Sequence, residues 1–205
     1  QELPLRIPVS ALALAAALAC AAGSAVAQYA WDGPSLVGPH APAGLSVLLV
    51  ANDPGGALGA MGQWRQDRAS LGWGYRGGIV QSDHDDLALF GGVDVSAVLA
   101  ESVEDADIRV LWWSGVGAGV GSELAVSIPV GLVAGWSGMG DGNAFAPYAG
   151  AHVSLDLATG DGDKVSLDAS LDLGLDLTLT TGWVVRFGAS LFGRDAVGVG
   201  IRIPS

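Results

Sequence analysis

The sequence predicts an all-β protein, an antiparallel up-and-down β-barrel of about ten strands, with eight strands as the alternative. Three observations lead to this prediction. Apolar side chains alternate with small or polar ones at a period of two through most of the chain, several alternating segments run for about 11–15 residues, and the connections between them are short.

Ten alternating segments follow the N-terminal part of the chain. The clearest is 165–179, where Val, Leu and Ala form one face and Ser, Asp, Gly and Thr form the other. On a helix these acidic residues would be scattered around the circumference, whereas on a strand they share one face. The predicted strands are 45–52, 57–65, 70–80, 87–99, 108–120, 124–136, 145–157, 165–179, 183–192 and 196–203.

The length of the segments bears on the kind of barrel. Ordinary strands have about five or six residues, but a tilted strand needs about 9–11 to cross a bilayer. Tight connections such as 66–68 and 193–195 force neighbouring strands to be antiparallel. A transmembrane barrel is therefore favoured over a soluble sandwich.

The composition excludes several classes of function. The 205 residues suffice for one domain or one barrel, and the net charge of -12 repels phosphate backbones, so we expect no nucleic-acid partner. The 32 glycines are unfavourable for a helical bundle. Cys20 is the only cysteine and lies in the apolar N-terminal run, so neither a disulfide framework nor a cysteine zinc site is expected in the mature chain.

The N-terminal region has the pattern of an export signal. An Ala-rich apolar run occupies 11–27 and ends in Ala25-Val26-Ala27, which predicts cleavage before Gln28. A membrane anchor is the alternative, but the run is shorter than the roughly 20 residues that a spanning helix needs. The predicted division of the chain is 1–27 signal peptide, 28–43 extended Pro-rich leader outside the sheet, and 44–205 β-barrel.

Five tryptophans are predicted to lie at the same end of the barrel. If the segments run up and down, all five fall near the same rim, and all five have the parity of the apolar face. An aromatic girdle at one membrane interface has this arrangement. The predicted girdle consists of Trp64, Trp73, Trp112, Trp136 and Trp183.

Charged residues on the polar face predict a charge network in the lumen. Turns centred on Thr181 and Arg194 would pair Asp176 with Arg186 and Arg186 with Arg202. Two interpretations stay open: buried charges that pair because an unpaired one is costly, or a permeation path lined by carboxylates, for which a glycine stripe at 115, 117 and 119 could leave a cavity. The predicted network contains Asp176, Arg186, Arg202, Asp172, Asp168, Arg109, Asp94 and Arg76, and His152 and Asp156 have the same parity.

No pattern in the sequence predicts a catalytic, metal or cofactor site. Asp168, Asp172 and Asp176 are spaced four apart, which puts neighbours roughly 13 Å from each other on a strand, whereas glycosidase pairs need about 5–9.5 Å. The acidic stretches 82–86 and 159–163 could gather a divalent cation, but neither has the spacing of a dedicated calcium loop.

In its architecture the chain resembles the small bacterial outer-membrane β-barrel proteins, the OmpA/OmpX-like class of eight to ten strands. The resemblance covers about 45–203 and the signal peptide. It implies insertion in the outer membrane of a Gram-negative cell envelope, with membrane lipids and the barrel-assembly machinery as partners. Such proteins usually end on an aromatic residue, whereas this sequence ends Ile-Arg-Ile-Pro-Ser, which puts the insertion route in doubt.

The resemblance implies a structural, adhesive or small-solute (porin-like) role without evident catalysis. One alternative is an outer-membrane lipid-modifying enzyme, since lipid A deacylases carry a His-x-Ser pair on one strand, as do His152 and Ser154 here. Strand parity directs this pair into the lumen, however, whereas such an enzyme must meet lipid outside. The other alternative is a secreted β-sandwich or surface-assembly subunit.

Overall fold

The computed structural model describes residues 31–52, 58–66, 71–81, 87–102, 107–121, 124–140, 142–159 and 164–204. Within these ranges the chain forms ten β-strands. They are β1 Gly44–Asn52, β2 Leu58–Arg65, β3 Leu71–Gln81, β4 Leu87–Ser102, β5 Asp107–Val120, β6 Leu124–Gly140, β7 Asn143–Thr159, β8 Lys164–Thr178, β9 Val184–Phe192 and β10 Ala196–Arg202.

The ten strands close into one antiparallel barrel. Each strand pairs with its neighbours in sequence, and β1 also pairs with β10, with Val47 opposite Ile201. Closure leaves no sheet edge with unpaired backbone groups. The predicted fold class, an up-and-down barrel of ten strands, is confirmed.

Three strands extend further than the alternation predicted. β4, β6 and β7 have 16, 17 and 17 residues, and each continues past the end of its clear alternation. In β4 the reason is a shift of register between Val98 and Ala100 against β5. Such an irregularity reverses the side-chain parity, so a period of two no longer marks the strand although its pairing goes on.

The outside of the barrel is apolar, unlike the surface of a soluble protein. On β6, Val130 and Leu132 point outward and are 57% and 55% exposed, whereas Ser127 points inward and is buried. On β8, the inward residues Asp172 and Asp176 are buried, and the leucines between and beside them are exposed or half-buried. The apolar face of the alternating pattern therefore covers the outside.

The lumen holds the polar face together with two buried apolar clusters. One includes Met61 and Phe90, and the other includes Leu111 and Trp113. The interior of the barrel is therefore mixed in polarity.

Aromatic side chains collect on the outside near one end of the barrel. We call this end, where β1 begins and β10 ends, the lower rim, and the opposite end the upper rim. Tyr75 and Phe145 extend the set, because their rings lie 5.6 Å from Trp64 and 4.9 Å from Trp136. Trp112 lies higher, as the sixth residue of β5, and is less exposed. The four predicted girdle residues in the lower part, each 39–42% exposed, are Trp64, Trp73, Trp136 and Trp183.

The leader, residues 31–43 of the described chain, lies inside the barrel. It takes part in none of the described strand pairings, yet Trp31, Leu36 and Val37 are at most 1% exposed. From Gly44 at the lower rim it runs up the lumen, past Tyr148, which contacts Gly38. Its upper part, at Asp32, bonds to Arg194 in the turn between β9 and β10. The alternation placed the leader outside the sheet but did not locate it in the lumen.

Candidate functional site: the plugged lumen

Arg76 of β3 binds the backbone of the leader. Its Nη1 donates to the carbonyl oxygens of Trp31, at 3.1 Å, and Pro34, at 3.4 Å, and its Nη2 donates to that of Ser35, at 2.6 Å. Carbonyl groups in a water-poor interior need donors, because an unpaired one is costly. A single guanidinium, which has several donors in a planar fork, satisfies three of them.

Two further arginines bind the leader in the same manner. Arg186 of β9 donates from Nη2 to the carbonyl of Leu36 at 3.0 Å, and Arg202 of β10 donates from Nε to that of Ala43 at 2.6 Å. The three arginines come from different strands. The leader is thus held along its length by main-chain contacts that do not depend on its side chains.

The Trp31 side chain occupies a cradle of glycines on β4 and β5. The ring lies against Gly92, Gly115 and Gly117, and a Cβ placed on Gly115 would be 2.8 Å from Trp31 Cη2. A Cβ on either of the other two would also overlap the ring. Arg76 lies over the ring, with its Cζ 5.6 Å from the ring centroid. The predicted glycine stripe therefore leaves room for a side chain, and Trp31 fills part of it.

Two further glycines accommodate the middle of the leader. A Cβ on Gly188 of β9 would lie 2.6 Å from the Leu36 side chain, and one on Gly198 of β10 would lie 3.0 Å from Pro34. Leu36 itself has a φ of 50°, a left-handed conformation that costs a branched residue about 1–3 kcal/mol. The lumen thus holds the leader in one specific backbone path.

A cluster near the upper rim fixes the Asp32 carboxylate. Arg194 donates to both Asp32 and Asp156. The hydroxyls of Ser127 and Ser154 donate to Asp32 Oδ2 at 3.1 Å and 3.0 Å. Asp32 is fully buried, and its charge is matched within the lumen.

These contacts determine the pKa of Asp32. Burial alone would raise it, but the positive charge of Arg194 and the serine hydroxyls favour the carboxylate, and the pKa lies below its ordinary value. The carboxylate is therefore the stable form at neutral pH.

A second ion-pair cluster joins β2, β3 and β4. Asp94 forms an ion pair with Arg65, whose Nη1 lies 2.9 Å from Oδ1, and accepts from Arg76 at 3.3 Å. Arg65 also donates from Nη2 to Ser96 at 3.2 Å. The alternation placed Arg76 and Asp94 on the lumen face, but Arg65 was not predicted as part of the network. The signal was present, since Arg65 directly follows the outward Trp64 and so has inward parity.

Only one of the two residue pairings predicted across the last three strands is present. Asp176 lies opposite Arg186, with Oδ1 2.8 Å from Nε. Arg186 lies opposite Gly200, however, and Arg202 lies opposite Val184, so the prediction that Arg186 and Arg202 pair is wrong. The turn is centred one residue earlier than predicted, on Gly193, because Ala196 lies opposite Ser190. The side chain of Arg194 in this turn enters the lumen and meets Asp32.

The remaining predicted charges have other partners. Asp172 bonds to His152, with Oδ2 2.6 Å from Nδ1, and accepts from Ser190. Asp168 accepts from Ser166 at 3.5 Å and lies beside Asp156 in the cluster at the upper rim. Arg109 pairs at the lower rim with Glu101 and Asp107, at 2.8 Å and 3.2 Å, and its side chain is 35% exposed, so it belongs to the rim instead of the lumen network.

His152 and Ser154 bond to different carboxylates. His152 pairs with Asp172 and packs edge-on against Trp113, with ring centroids 5.4 Å apart, whereas Ser154 donates to Asp32. Both are buried in the lumen, as their parity predicted. In this arrangement the two side chains do not share a face toward lipid.

Among the described residues no group of three or more His, Cys, Asp or Glu side chains could hold a metal ion. The acidic stretches 82–86 and 160–163 lie outside the described residues. In the described ranges no helix is long and apolar enough to cross a membrane.

Comparisons with known proteins assign no family. No protein-family model matches the chain, and no curated protein matches it. A solved structure from work on the in-meso crystallization of membrane proteins aligns at 9% identity over 77% of this chain and 82% of its own. Its TM-score of 0.31 is too low to support an argument. The fold class therefore follows from the barrel's own strand order and register.

The glycine cradle gives a first testable prediction. In Gly117→Leu the new side chain would occupy the space of the Trp31 ring, so we expect the leader to leave the lumen and become accessible to protease. The matched control is Gly62→Ala on β2, where a Cβ would meet only a carbonyl oxygen at 3.9 Å. Limited proteolysis with mass spectrometry measures the outcome, and equal protection of the leader in both variants would contradict it.

The buried ion pair gives a second prediction. Arg186→Met leaves Asp176 uncompensated, and we expect a loss of about 3–5 kcal/mol in the free energy of unfolding. Arg109→Met, which breaks an exposed rim pair, should cost at most about 1 kcal/mol. Denaturant titration compares the two variants, and Asp176→Asn added to Arg186→Met should recover part of the loss. Similar costs at both sites would count against a buried network.

The lowered pKa of Asp32 gives a third prediction. Because the folded pKa is depressed, the carboxylate stabilises the fold fully above its ordinary pKa of about 3.9, and the contribution is lost as the pH falls through the folded pKa. We expect Asp32→Asn to be less stable than the parent chain by a constant amount from pH 8 to 5, and the difference to shrink below about pH 4. Unfolding free energies measured across this range test it, and a difference that already shrinks near pH 6 would refute it.

Proposed function

We propose that this protein is an outer-membrane β-barrel, exported through a cleaved signal peptide, with a structural or adhesive role and no evident catalysis. The apolar outer surface of the closed barrel is the observation that carries the proposal. Apolar side chains cover the outside of the sheet, and the inside holds paired charges beside two apolar clusters. An apolar exterior around buried charges is the arrangement that a surrounding bilayer favours.

The outward surface supports this proposal in two ways. Exposed leucines, valines and isoleucines occur on strands all around the barrel, and a water-soluble monomer rarely exposes so large a contiguous apolar area. The outward tryptophans near the lower rim add an amphipathic belt of the kind found at membrane interfaces.

The content of the lumen favours a structural or adhesive role over a porin-like one. The leader runs along the lumen, and the charges around it form closed ion pairs, such as Arg186 with Asp176 and Arg65 with Asp94. A solute could pass only if the leader moved. A carboxylate-lined permeation path therefore has no support in this arrangement.

A fourth prediction tests insertion in a bilayer. The protein should require detergent for extraction, and its mobility on an unboiled gel should shift on heating. Leu132→Arg puts a charge at the middle of β6 on the outside and should cost roughly 2–4 kcal/mol in a lipid-inserted barrel. Leu124→Arg, at the upper end of the same strand, is the matched control and should cost about 1 kcal/mol or less.

Folding into lipid vesicles, followed by urea titration, measures this difference. Recovery of the mature protein as a water-soluble monomer without detergent would refute the proposal. Equal costs for the two variants would argue against a lipid-facing exterior.

A further inference from the structure

The leader contacts the lumen as a bound ligand would, because it forms none of the described strand pairings. In the described residues β1 pairs with β10 and β2, and the barrel closes without any contribution from residues 31–43. None of the described strand pairings includes the leader. It is contacted by arginine side chains and by the backbone of glycines on the strands, and by Arg194 in the β9–β10 turn.

These contacts divide into two kinds. Arg76 and Arg186 donate to main-chain carbonyls, which any extended peptide offers. Trp31 in its glycine cradle and Asp32 on Arg194 are specific to side chains. A site that combines main-chain donors with pockets for particular side chains has the anatomy of a peptide-binding groove.

The lumen also carries buried polar atoms that the leader leaves unused. Among the described residues, Gln63 Nε2, His152 Nε2 and Trp113 Nε1 are buried without a hydrogen-bond partner. Buried polar atoms are normally paired, so each of these atoms marks a place where an occupant or a water could bond. These atoms line the same lumen and supply a second, independent indication of a binding site.

We propose that the lumen is a binding site for a peptide segment, and that residues 31–43 are its occupant within the same chain. The ligand is a Trp-Asp pair followed closely by a proline, held in a bent main-chain path with a left-handed Leu36 and a turn at 38–41. The same segment supplied as a separate peptide binds the vacated lumen. This inference goes beyond the proposed function and does not require the exterior to face lipid.

The experiment uses the mature chain with a protease site inserted between Ala43 and Gly44 at the lower rim. The folded protein is cut there, so that the leader stays in place without a covalent link. We expect the cut leader to co-elute with the barrel in size-exclusion chromatography. A fluorescent synthetic peptide of residues 31–43 should then exchange into the barrel and saturate at one peptide per barrel.

Competition with unlabelled peptides tests the specificity. The parent 31–43 peptide should compete at least tenfold better than the peptide carrying Trp31→Ala and Asp32→Asn, and better than a scrambled peptide of equal composition. Immediate loss of the cut leader without rebinding, or equal competition by all three peptides, would overturn the proposal. The comparison depends on peptide variants, so it holds even if a barrel variant such as Gly117→Leu does not fold.

The peptide-exchange experiment and the test of membrane insertion can each fail without the other. Exchange is measured in whichever solvent keeps the cut protein monodisperse. Specific exchange in a protein that proves water-soluble would uphold the peptide site and refute the outer-membrane role. A barrel that requires detergent and shifts on heating, but shows no specific exchange, would refute the peptide site and uphold the outer-membrane role.

Discussion

Closure of the sheet is the constraint on which the rest of this structure depends. When ten alternating strands close with their polar faces inward, the charges on those faces enter a narrow space with little water. An unpaired charge there would cost several kcal/mol. The pair Arg186–Asp176 meets this requirement between neighbouring strands, and the pair Arg65–Asp94 meets it over Gly74 of the intervening strand β3. The same closure turns the apolar faces outward, where they contact the surroundings of the barrel.

The leader and the lumen meet each other's hydrogen-bonding needs. Arg76 is paired with Asp94 but has donors to spare, and the leader carries carbonyls that no strand satisfies. Conversely, Asp32 needs a cation when buried, and Arg194 turns into the lumen to supply it. Each side alone would leave costly unpaired groups, so their association is favoured even though the leader joins no strand.

The two-residue alternation in the sequence predicted the strands and the direction of their side chains. Alternation identified all ten strands and both faces, and parity placed Asp176 and Arg186 together in the lumen. It could not place the leader, because contacts such as that of Trp31 with Gly117 join residues far apart in sequence and leave no period. The prediction that Arg186 and Arg202 pair was wrong because the alternation does not extend through a turn, and a turn centre displaced by one residue changes every cross-strand partner.

The number of strands and the presence of the leader are connected. A barrel of about eight strands has an interior that side chains alone can fill, and its diameter grows with each added strand. Ten strands leave additional space, and many inward positions here are glycines, which leave more. A dry void of that size would forfeit packing contacts, and a wet one would compete for the buried ion pairs. The leader fills part of it, with the Trp31 ring in the space left by Gly115 and Gly117. The inward glycines and the leader therefore depend on each other, because the leader's side chains occupy the space that a Cβ at these glycines would need.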